Sequence, residues 1–206
     1  QVRQDSQAKS DWKITKHRGG MFTTGVGGAL TGRGANVAII DDPVKNAAEA
    51  MSETFRERNK EWYKSTLRTR IEKDQVIAHD GAIIVIQTRW HEDDLAGWLQ
   101  KEFPDEWLVI SLPAIAEDDE CVYLPDDPDH PAWERKRGEA LWPEVHTLAD
   151  LERTRTDLGG EDGHWWTALY QQRPAPVGGG ILKPDQFRRF SVVEGGYLLD
   201  AAAGPR

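Results

Sequence analysis

The sequence predicts an α/β fold in which a mostly parallel sheet is flanked by helices. Three apolar runs rich in branched side chains, at residues 37–40, 82–90 and 107–113, predict buried strands. Between the first two runs, residues 47–73 carry apolar side chains at helical spacing, with Asn46 as the expected N-cap. This helix would provide the crossover that joins two neighbouring parallel strands.

Bulk composition indicates a globular protein. The chain has 206 residues, of which 38% are hydrophobic and 30% charged. No apolar run reaches membrane-spanning length and no signal peptide is evident, so we expect a soluble intracellular protein. The net charge of -9 argues against a generally basic nucleic-acid-binding surface, although local patches can still bind phosphates. Cys121, the single cysteine, excludes an internal disulfide and is expected to have no role.

Two carboxylates follow the first predicted strand, at Asp41 and Asp42, before Pro43. Strand tips line the ligand crevice of an open α/β sheet, so this pair is placed where a nucleotide-bound Mg²⁺ would lie. The pattern is that of a Walker B element. Asp41 would hold the magnesium, and Asp42 would orient or deprotonate the attacking water. The alternative is a polar turn, because Asp-Asp-Pro is common in turns.

The glycine-rich segment at residues 25–34 predicts a loop. A strand follows it rather than a helix, so we do not interpret it as a phosphate-binding loop. The pattern G-x-x-x-x-G-K-[ST] does not occur in the 206 residues. Arg33, at the end of this loop, could act as an arginine finger towards a neighbouring subunit. The alternative is a surface arginine that caps a turn.

The tip of the second predicted strand, Gln87, Thr88 and Arg89, should lie beside Asp41 and Asp42. Polar groups there could sense a γ-phosphate and pass its state to the rest of the molecule. Residues 91–94 carry one histidine and three carboxylates and open the next helix. A metal site is less favoured for them, because consecutive residues do not share a helix face.

The remaining segments receive shorter predictions. Residues 12–17 alternate large apolar with polar residues as strands do, and a second strand is expected at 21–24, whereas residues 1–11 carry no start signal of an element. Residues 117–142 are expected to be irregular, and helices are expected at 148–158 and 165–172. Tryptophans in loop-like surroundings are expected to anchor long connections. These are Trp133, Trp142, Trp165 and Trp166. A last strand at residues 195–200 ends in Asp200, which we interpret as the start of a truncated second domain.

Several motifs in this order closely resemble the large terminase subunit of tailed bacteriophages and prophages. They are GVGGALTGRG at 25–34, IIDDP at 39–43, WYKST at 62–66, IVIQTRWHEDD at 84–94, GEALWP at 138–143 and LYQQRP at 169–174. The resemblance implies a packaging ATPase of the P-loop NTPase class, followed by a nuclease of RNase H-like fold. It also implies that the nuclease cuts concatemeric DNA with acidic residues and two divalent metals.

The resemblance assigns roles to residues by position. Asp41 corresponds to the magnesium residue that acts with ATP, and Asp42 to the catalytic carboxylate. Residues 87–89 resemble the coupling segment that links hydrolysis to motion. Asp200 resembles the first metal ligand of the nuclease, for Mg²⁺ or Mn²⁺. The chain departs from the family in lacking a Walker A segment and the later nuclease carboxylates.

The resemblance also implies a domain organisation and partners. Residues 1–145 would be the C-terminal half of the ATPase domain, 146–194 a helical linker region, and 195–206 the start of the nuclease. The partners would be double-stranded DNA, the terminase small subunit and the portal protein, with a homo-oligomeric ring on the capsid in the host cytoplasm. We expect this chain alone to be inactive. Two alternatives remain: another P-loop helicase or translocase, and an inactive prophage remnant that only folds or binds partners.

Overall fold

The computed structural model describes residues 2–8, 10–16, 19–28, 30, 32–72, 80–124, 127–175, 190–193 and 196–199. Within these residues the protein is a mixed α/β structure with small sheets. The strands are β1 Val2–Ala8, β2 Asp11–Ile14, β3 Gly20–Phe22, β4 Val37–Asp41, β5 Ala82–Ile86, β6 Glu120–Leu124, β7 Asp127–Arg135, β8 Phe190–Val193 and β9 Gly196–Leu199. The α-helices are α1 Ala47–Met51, α2 Glu53–Trp62, α3 Leu95–Glu102 and α4 Leu148–Asp157.

Strands β4 and β5 form the predicted parallel pair, in register from Val37 opposite Ala82 to Asp41 opposite Ile86. This confirms the α/β class and the crossover connection. In β4, Ala38 and Ile40 are buried against the helices, whereas Ile39 between them is 62% exposed. Among the described residues the sheet has two strands and helices cover only one of its faces. The P-loop and RNase H-like assignments therefore stay predictions.

The crossover is not the single helix that residues 47–73 predict. Asn46 caps α1 as expected, because its side chain accepts the Glu49 N–H at 3.0 Å. Ser52 then interrupts the helix and caps α2 through the Phe55 N–H at 3.3 Å. The helix ends in a π-helical turn at Tyr63–Leu67 and a 3₁₀ turn at Arg68–Arg70. The interruption arises because the Ser52 hydroxyl competes for a backbone donor.

The main core lies between this crossover, the covered face of the sheet and α3. Edge-to-face contacts of Trp98 with Tyr63 at 5.8 Å and with Phe103 at 5.6 Å order its aromatic side chains. The buried residues of this core are Ala38, Ile40, Tyr63, Leu67, Leu95, Trp98 and Leu99.

The prediction of a strand at residues 107–113 is wrong, because these residues form no strand. It runs as an irregular segment in which Leu108 is 88% and Ile110 71% exposed. A strand needs a partner edge as well as apolar side chains, and β5 pairs only with β4 among the described residues. The apolar composition alone led to the wrong prediction.

The irregular stretch predicted at residues 117–142 is also wrong in part, because β6 and β7 pair there as an antiparallel hairpin. Register shifts around Tyr123 accommodate Pro131, which the sequence pattern did not favour in a strand. Arg135 anchors the base of the hairpin. Its buried guanidinium donates to Glu120 Oε2 at 2.7 Å and to the Pro113 carbonyl at 2.8 Å.

A second, smaller core contains Ala140, Leu151 of α4 and Trp166. The helical predictions at 148–158 and 165–172 are confirmed by α4 and by a π-helical turn at Trp166–Tyr170. Gln171 closes this unit, since its side-chain amide accepts the Ile115 N–H and donates to the Ile115 carbonyl, both at 3.0 Å.

The tryptophan anchors are confirmed in part. Trp166 is buried in the second core, and Trp165 contacts Trp90 at 5.9 Å, which joins this unit to the region after β5. Trp142 is 60% exposed, so its predicted anchoring role is wrong.

The chain termini carry two antiparallel sheets. Strands β1, β2 and β3 pair in that order. This confirms the strands predicted at 12–17 and 21–24, whereas β1 was not predicted. Strand β9 matches the prediction at 195–200 and pairs with β8, which the sequence did not predict as a strand. Asp200, the predicted nuclease ligand, lies outside the described residues.

Candidate functional site at the tips of the parallel strands

The candidate site is the carboxyl end of the β4–β5 pair. Side chains alternate between the two faces of a strand, so Asp41 lies on the same face as Val37 and Ile39. That face is open, and Asp41 is exposed at its end. The carboxylate of Asp41 is therefore accessible from the side of the sheet that no helix covers among the described residues.

Asp42 ties the tips of the two strands together. Its N–H donates to the Ile86 carbonyl at 2.9 Å, and its Oδ1 accepts the Thr88 N–H at 3.0 Å. Its φ of 38° lies in the left-handed region, which aspartate tolerates better than most residues. The predicted neighbourhood of Asp42 and Thr88 thus exists, and it consists of a direct hydrogen bond.

Gln87 follows Ile83 and Val85 on the covered face of β5. Both polar atoms of its amide are buried, and neither has a hydrogen-bond partner within the described part of the chain. Buried amides are nearly always paired in native proteins. The side-chain amide of Gln87 is therefore an exception among the buried polar groups of the described residues.

Arg89 connects the tip of β5 to helix α3. Its Nε contacts both carboxylate oxygens of Asp94, at 3.1 and 2.8 Å. Asp94 is 1% exposed and also caps α3 by accepting the Gly97 N–H at 2.9 Å. The predicted coupling segment is thus joined to Asp42 through Thr88 and to α3 through Arg89.

Arg33 is held within its own subunit. Its guanidinium pairs with Asp11 of β2 at 2.9 Å and lies over the Phe22 ring at 4.1 Å. It contacts neither Asp41 nor Asp42. A role of Arg33 towards a neighbouring subunit would require its contacts with Asp11 and Phe22 to break.

Sequence reasoning missed a charged cluster between α2 and the start of α3. The Lys60 side chain is 6% exposed, and its ammonium contacts Glu57 at 2.7 Å and Asp93 at 2.8 Å, while Arg56 contacts Asp93 at 3.4 Å. The spacing of Arg56 and Lys60, one turn apart, could have indicated a shared partner. The polar face of α2 therefore contains a specific ion-pair cluster.

Burial and charge act in opposite directions in this cluster. Burial alone lowers the pKa of Lys60, but hydrogen bonds to Asp93 and Glu57 outweigh it and raise the pKa above the ordinary value. Burial raises the pKa of Asp93, but Lys60 and Arg56 lower it overall. The pKa of His91 is lowered, first by burial and then by the charge of Arg56. Lys60 and Asp93 therefore stay charged near neutral pH.

The strand tips carry two exposed carboxylates, at Asp41 and Asp42. Mg²⁺ is commonly held by one or two carboxylates together with phosphate oxygens and water, and the exposed Asp41 could supply one such carboxylate. Among the described residues, no group of three or more His, Cys, Asp or Glu side chains could hold a metal by itself.

Comparison with known proteins gives no family assignment. No family model, no curated protein and no solved structure matches the chain. Within the described residues, no helix is long and apolar enough to cross a membrane.

Proposed function

We propose that this chain is part of the large terminase subunit of a tailed bacteriophage or prophage, the motor that packages DNA into the capsid. The observation that supports this most is the position of Asp41 and Asp42 at the tip of a parallel strand, where the carboxylate of Asp42 accepts the Thr88 N–H of the neighbouring strand tip at 3.0 Å. In this proposal ATP with Mg²⁺ is hydrolysed at Asp41 and Asp42, and hydrolysis drives translocation of double-stranded DNA.

Each residue has a defined task in the proposal. Asp41 binds the magnesium that neutralises the phosphates. Asp42 positions the attacking water through the oxygen that Thr88 does not occupy. Because the Thr88 N–H binds the same carboxylate, a change in the charge near Asp42 would act directly on the segment that leads to Arg89 and α3. The phosphate-binding lysine would come from a Walker A segment outside these residues.

The ATPase part of the proposal is tested in the parent polypeptide with its Walker A segment. Asp42→Asn should lower DNA-stimulated ATP hydrolysis by at least about a hundredfold, because a neutral amide cannot act as the base. Asp162→Asn, at an exposed turn, is the matched control and should leave turnover unchanged. The 206-residue chain alone should not hydrolyse ATP. Turnover of this chain that disappears in Asp42→Asn would contradict the proposal.

The nuclease part needs a separate variant. Asp200→Ala in the parent should abolish cleavage of concatemeric DNA in Mg²⁺ or Mn²⁺ and spare ATP hydrolysis. Loss of both activities would count against two separate active sites. A strand-separation assay distinguishes packaging from the helicase alternative, because a packaging motor moves along duplex DNA without opening it. We propose the terminase small subunit and the portal protein as partners, and reconstituted packaging would include both. The large subunit itself would form a homo-oligomeric ring in the host cytoplasm.

A further inference from the structure

A cleft of about 980 Å³ lies beside β5, and we call it the β5 cleft. Residues 83–87 line it on one side and residues 107–112 on another. Among the described residues that line it, none belongs to β4, so the cleft lies on the side of β5 that faces away from its partner strand. Because both lining runs are consecutive in sequence, the cleft follows the strand and suits an extended segment of polypeptide.

The edge of β5 beside the cleft has unpaired backbone groups. Alternate residues of a parallel strand direct their N–H and C=O groups to the same neighbouring strand. The Ala82 N–H donates to the Asn36 carbonyl at 2.8 Å, so the even-numbered residues of β5 face β4. Ile83 and Val85 therefore direct their N–H and C=O groups to the other side. Both residues are partly exposed, and these backbone groups have no hydrogen-bond partner among the described residues.

Residues 107–112 also lack backbone hydrogen bonds. None of their N–H or C=O groups has a partner in the described part of the chain. All of these side chains except that of Ser111 are apolar or aromatic, and Leu108 is 88% and Ile110 71% exposed. Apolar segments and strand edges in this condition promote association, so native proteins normally cover them.

The lining of the β5 cleft indicates the chemistry of its occupant. Its accessible side chains are mainly apolar, since Ile84 and Ile86 are also about half exposed. The charged Arg68 at its border is already paired with Glu106 at 3.0 Å. Apolar interfaces of this kind are typical of permanent associations, whereas transient ones are more polar. The occupant should therefore be uncharged, apolar and part of the same polypeptide.

We propose that a β-strand of the parent polypeptide, from outside these 206 residues, inserts into the β5 cleft and extends the sheet. It accepts hydrogen bonds from the N–H groups of Ile83 and Val85 and donates to their carbonyls, as in other cases of strand addition to a free edge. Its second edge provides the partner that residues 107–112 lack. The inference rests on the proposed function only in assuming a longer parent.

The test is backbone hydrogen exchange, measured residue by residue in the parent and in the 206-residue chain. We expect the amides of Ile83 and Val85, and alternate amides of residues 107–112, to exchange at least about a hundredfold more slowly in the parent, because hydrogen bonds to the inserted strand protect them. In the 206-residue chain these amides should exchange rapidly. The Ile84 amide is the internal control, because it faces β4 and should be protected in both proteins.

Proline variants test the pairing of residues 107–112. Consecutive N–H groups of a strand point to opposite sides, so either Val109→Pro or Ile110→Pro removes a donor that faces the inserted strand. One of the two should abolish the protection of residues 107–112 in the parent. Both should leave the urea midpoint of the 206-residue chain unchanged, because no backbone hydrogen bond is lost there. Ile110→Thr is the matched control, since it keeps the N–H and the β-branched shape and should retain the protection.

Three outcomes would overturn the proposal. The first is equal exchange of the Ile83 and Val85 amides in the two proteins. The second is protection of residues 107–112 alone, which would indicate a cover that does not pair with β5. The third is protection in the 206-residue chain that rises with its concentration, which would identify a second copy as the occupant.

The inference and the proposed function can fail separately, because ATP hydrolysis is measured on the same parent. Loss of turnover in Asp42→Asn without protection at Ile83 and Val85 would refute the inserted strand and support the motor. Protection at these residues with unchanged turnover in Asp42→Asn would support the inserted strand and refute the motor.

Discussion

Asp42 combines a left-handed backbone with a hydrogen bond that holds two strand tips together. These two features can be separated by mutation. Asparagine keeps the acceptor and tolerates the backbone, glycine keeps only the backbone, and alanine keeps neither. The local structure at this residue is therefore distinct from any catalytic role of its charge.

We expect Asp42→Ala to lower the free energy of unfolding by about 1–2 kcal/mol, Asp42→Gly by less, and Asp42→Asn by less than about 0.5 kcal/mol. Urea denaturation measures all three. A loss in Asp42→Asn as large as in Asp42→Ala would show that the charge, and not the hydrogen bond, stabilises the strand tips.

Asp93 should make stability depend on pH. Its pKa is lowered from the ordinary value of 3.8 in the folded protein, so it contributes stability above that pH. This contribution is lost as the pH falls through the lowered pKa. We expect the wild type to lose more stability than Asp93→Asn between about pH 5 and about pH 2. Urea midpoints across this range test the expectation, and parallel curves would contradict it.

Helix α3 depends on one side chain for both its cap and its connection to β5. Asp94 accepts the Gly97 N–H and pairs with Arg89 in a nearly buried environment. Removing one partner of such a pair leaves an uncompensated charge. Asp94 thus connects the predicted coupling segment to helix α3.

We expect Asp94→Ala to cost about 3–5 kcal/mol, because the cap and the ion pair are both lost. Asp94→Asn keeps an acceptor for the cap and should cost less. Thermal and urea unfolding give these values. The double variant Asp94→Asn with Arg89→Met should recover part of the loss, and no recovery would show that the buried charge of Arg89 is not the cause.

Elements with local signals were predictable from the sequence. The parallel pair follows from two β-branched runs, and α4 follows from its helical spacing. The hairpin β6–β7 was missed because its proline and acidic residues are unfavourable in strands, and its pairing depends on Arg135 and on bulges. Residues 107–113 were predicted wrongly for the opposite reason, since strand formation depends on a partner edge that composition does not encode.

The sequence predicted where the candidate site lies, but not the side-chain contacts within it. Parallel strands bring their tips together, so the neighbourhood of Asp42 and Thr88 was foreseeable. The hydrogen bond between them, the pairing of Arg33 with Asp11 and the orphaned amide of Gln87 were not. Each of these depends on side-chain orientation and tertiary packing, which spacing along one sequence does not fix.

At the scale of the whole molecule, the sheet exposes one apolar face. Val37, Ile39, Ile84 and Ile86 are each about half exposed on neighbouring strands. Parallel sheets are normally covered on both faces, and exposed apolar patches promote association. The exposure of this apolar face should therefore determine how strongly the isolated chain self-associates at high concentration.

We expect Ile39→Thr to reduce self-association and binding of a hydrophobic dye, with little change in stability, because Ile39 is 62% exposed. Ile40→Thr in the same strand is the matched control. Ile40 is 4% exposed on the covered face, so its replacement should cost about 2–4 kcal/mol. Light scattering and urea unfolding separate the two effects, and equal behaviour of both variants would contradict the two-faced sheet.

The side-chain amide of Gln171 makes two hydrogen bonds with the backbone of Ile115, one as acceptor and one as donor. A neighbouring β-strand would pair with Ile115 in the same way. Asparagine is one methylene too short to reach, and glutamate lacks the donor. Very few of the twenty amino acids can therefore occupy this position, and in random mutagenesis it should be among the least tolerant sites of the smaller core.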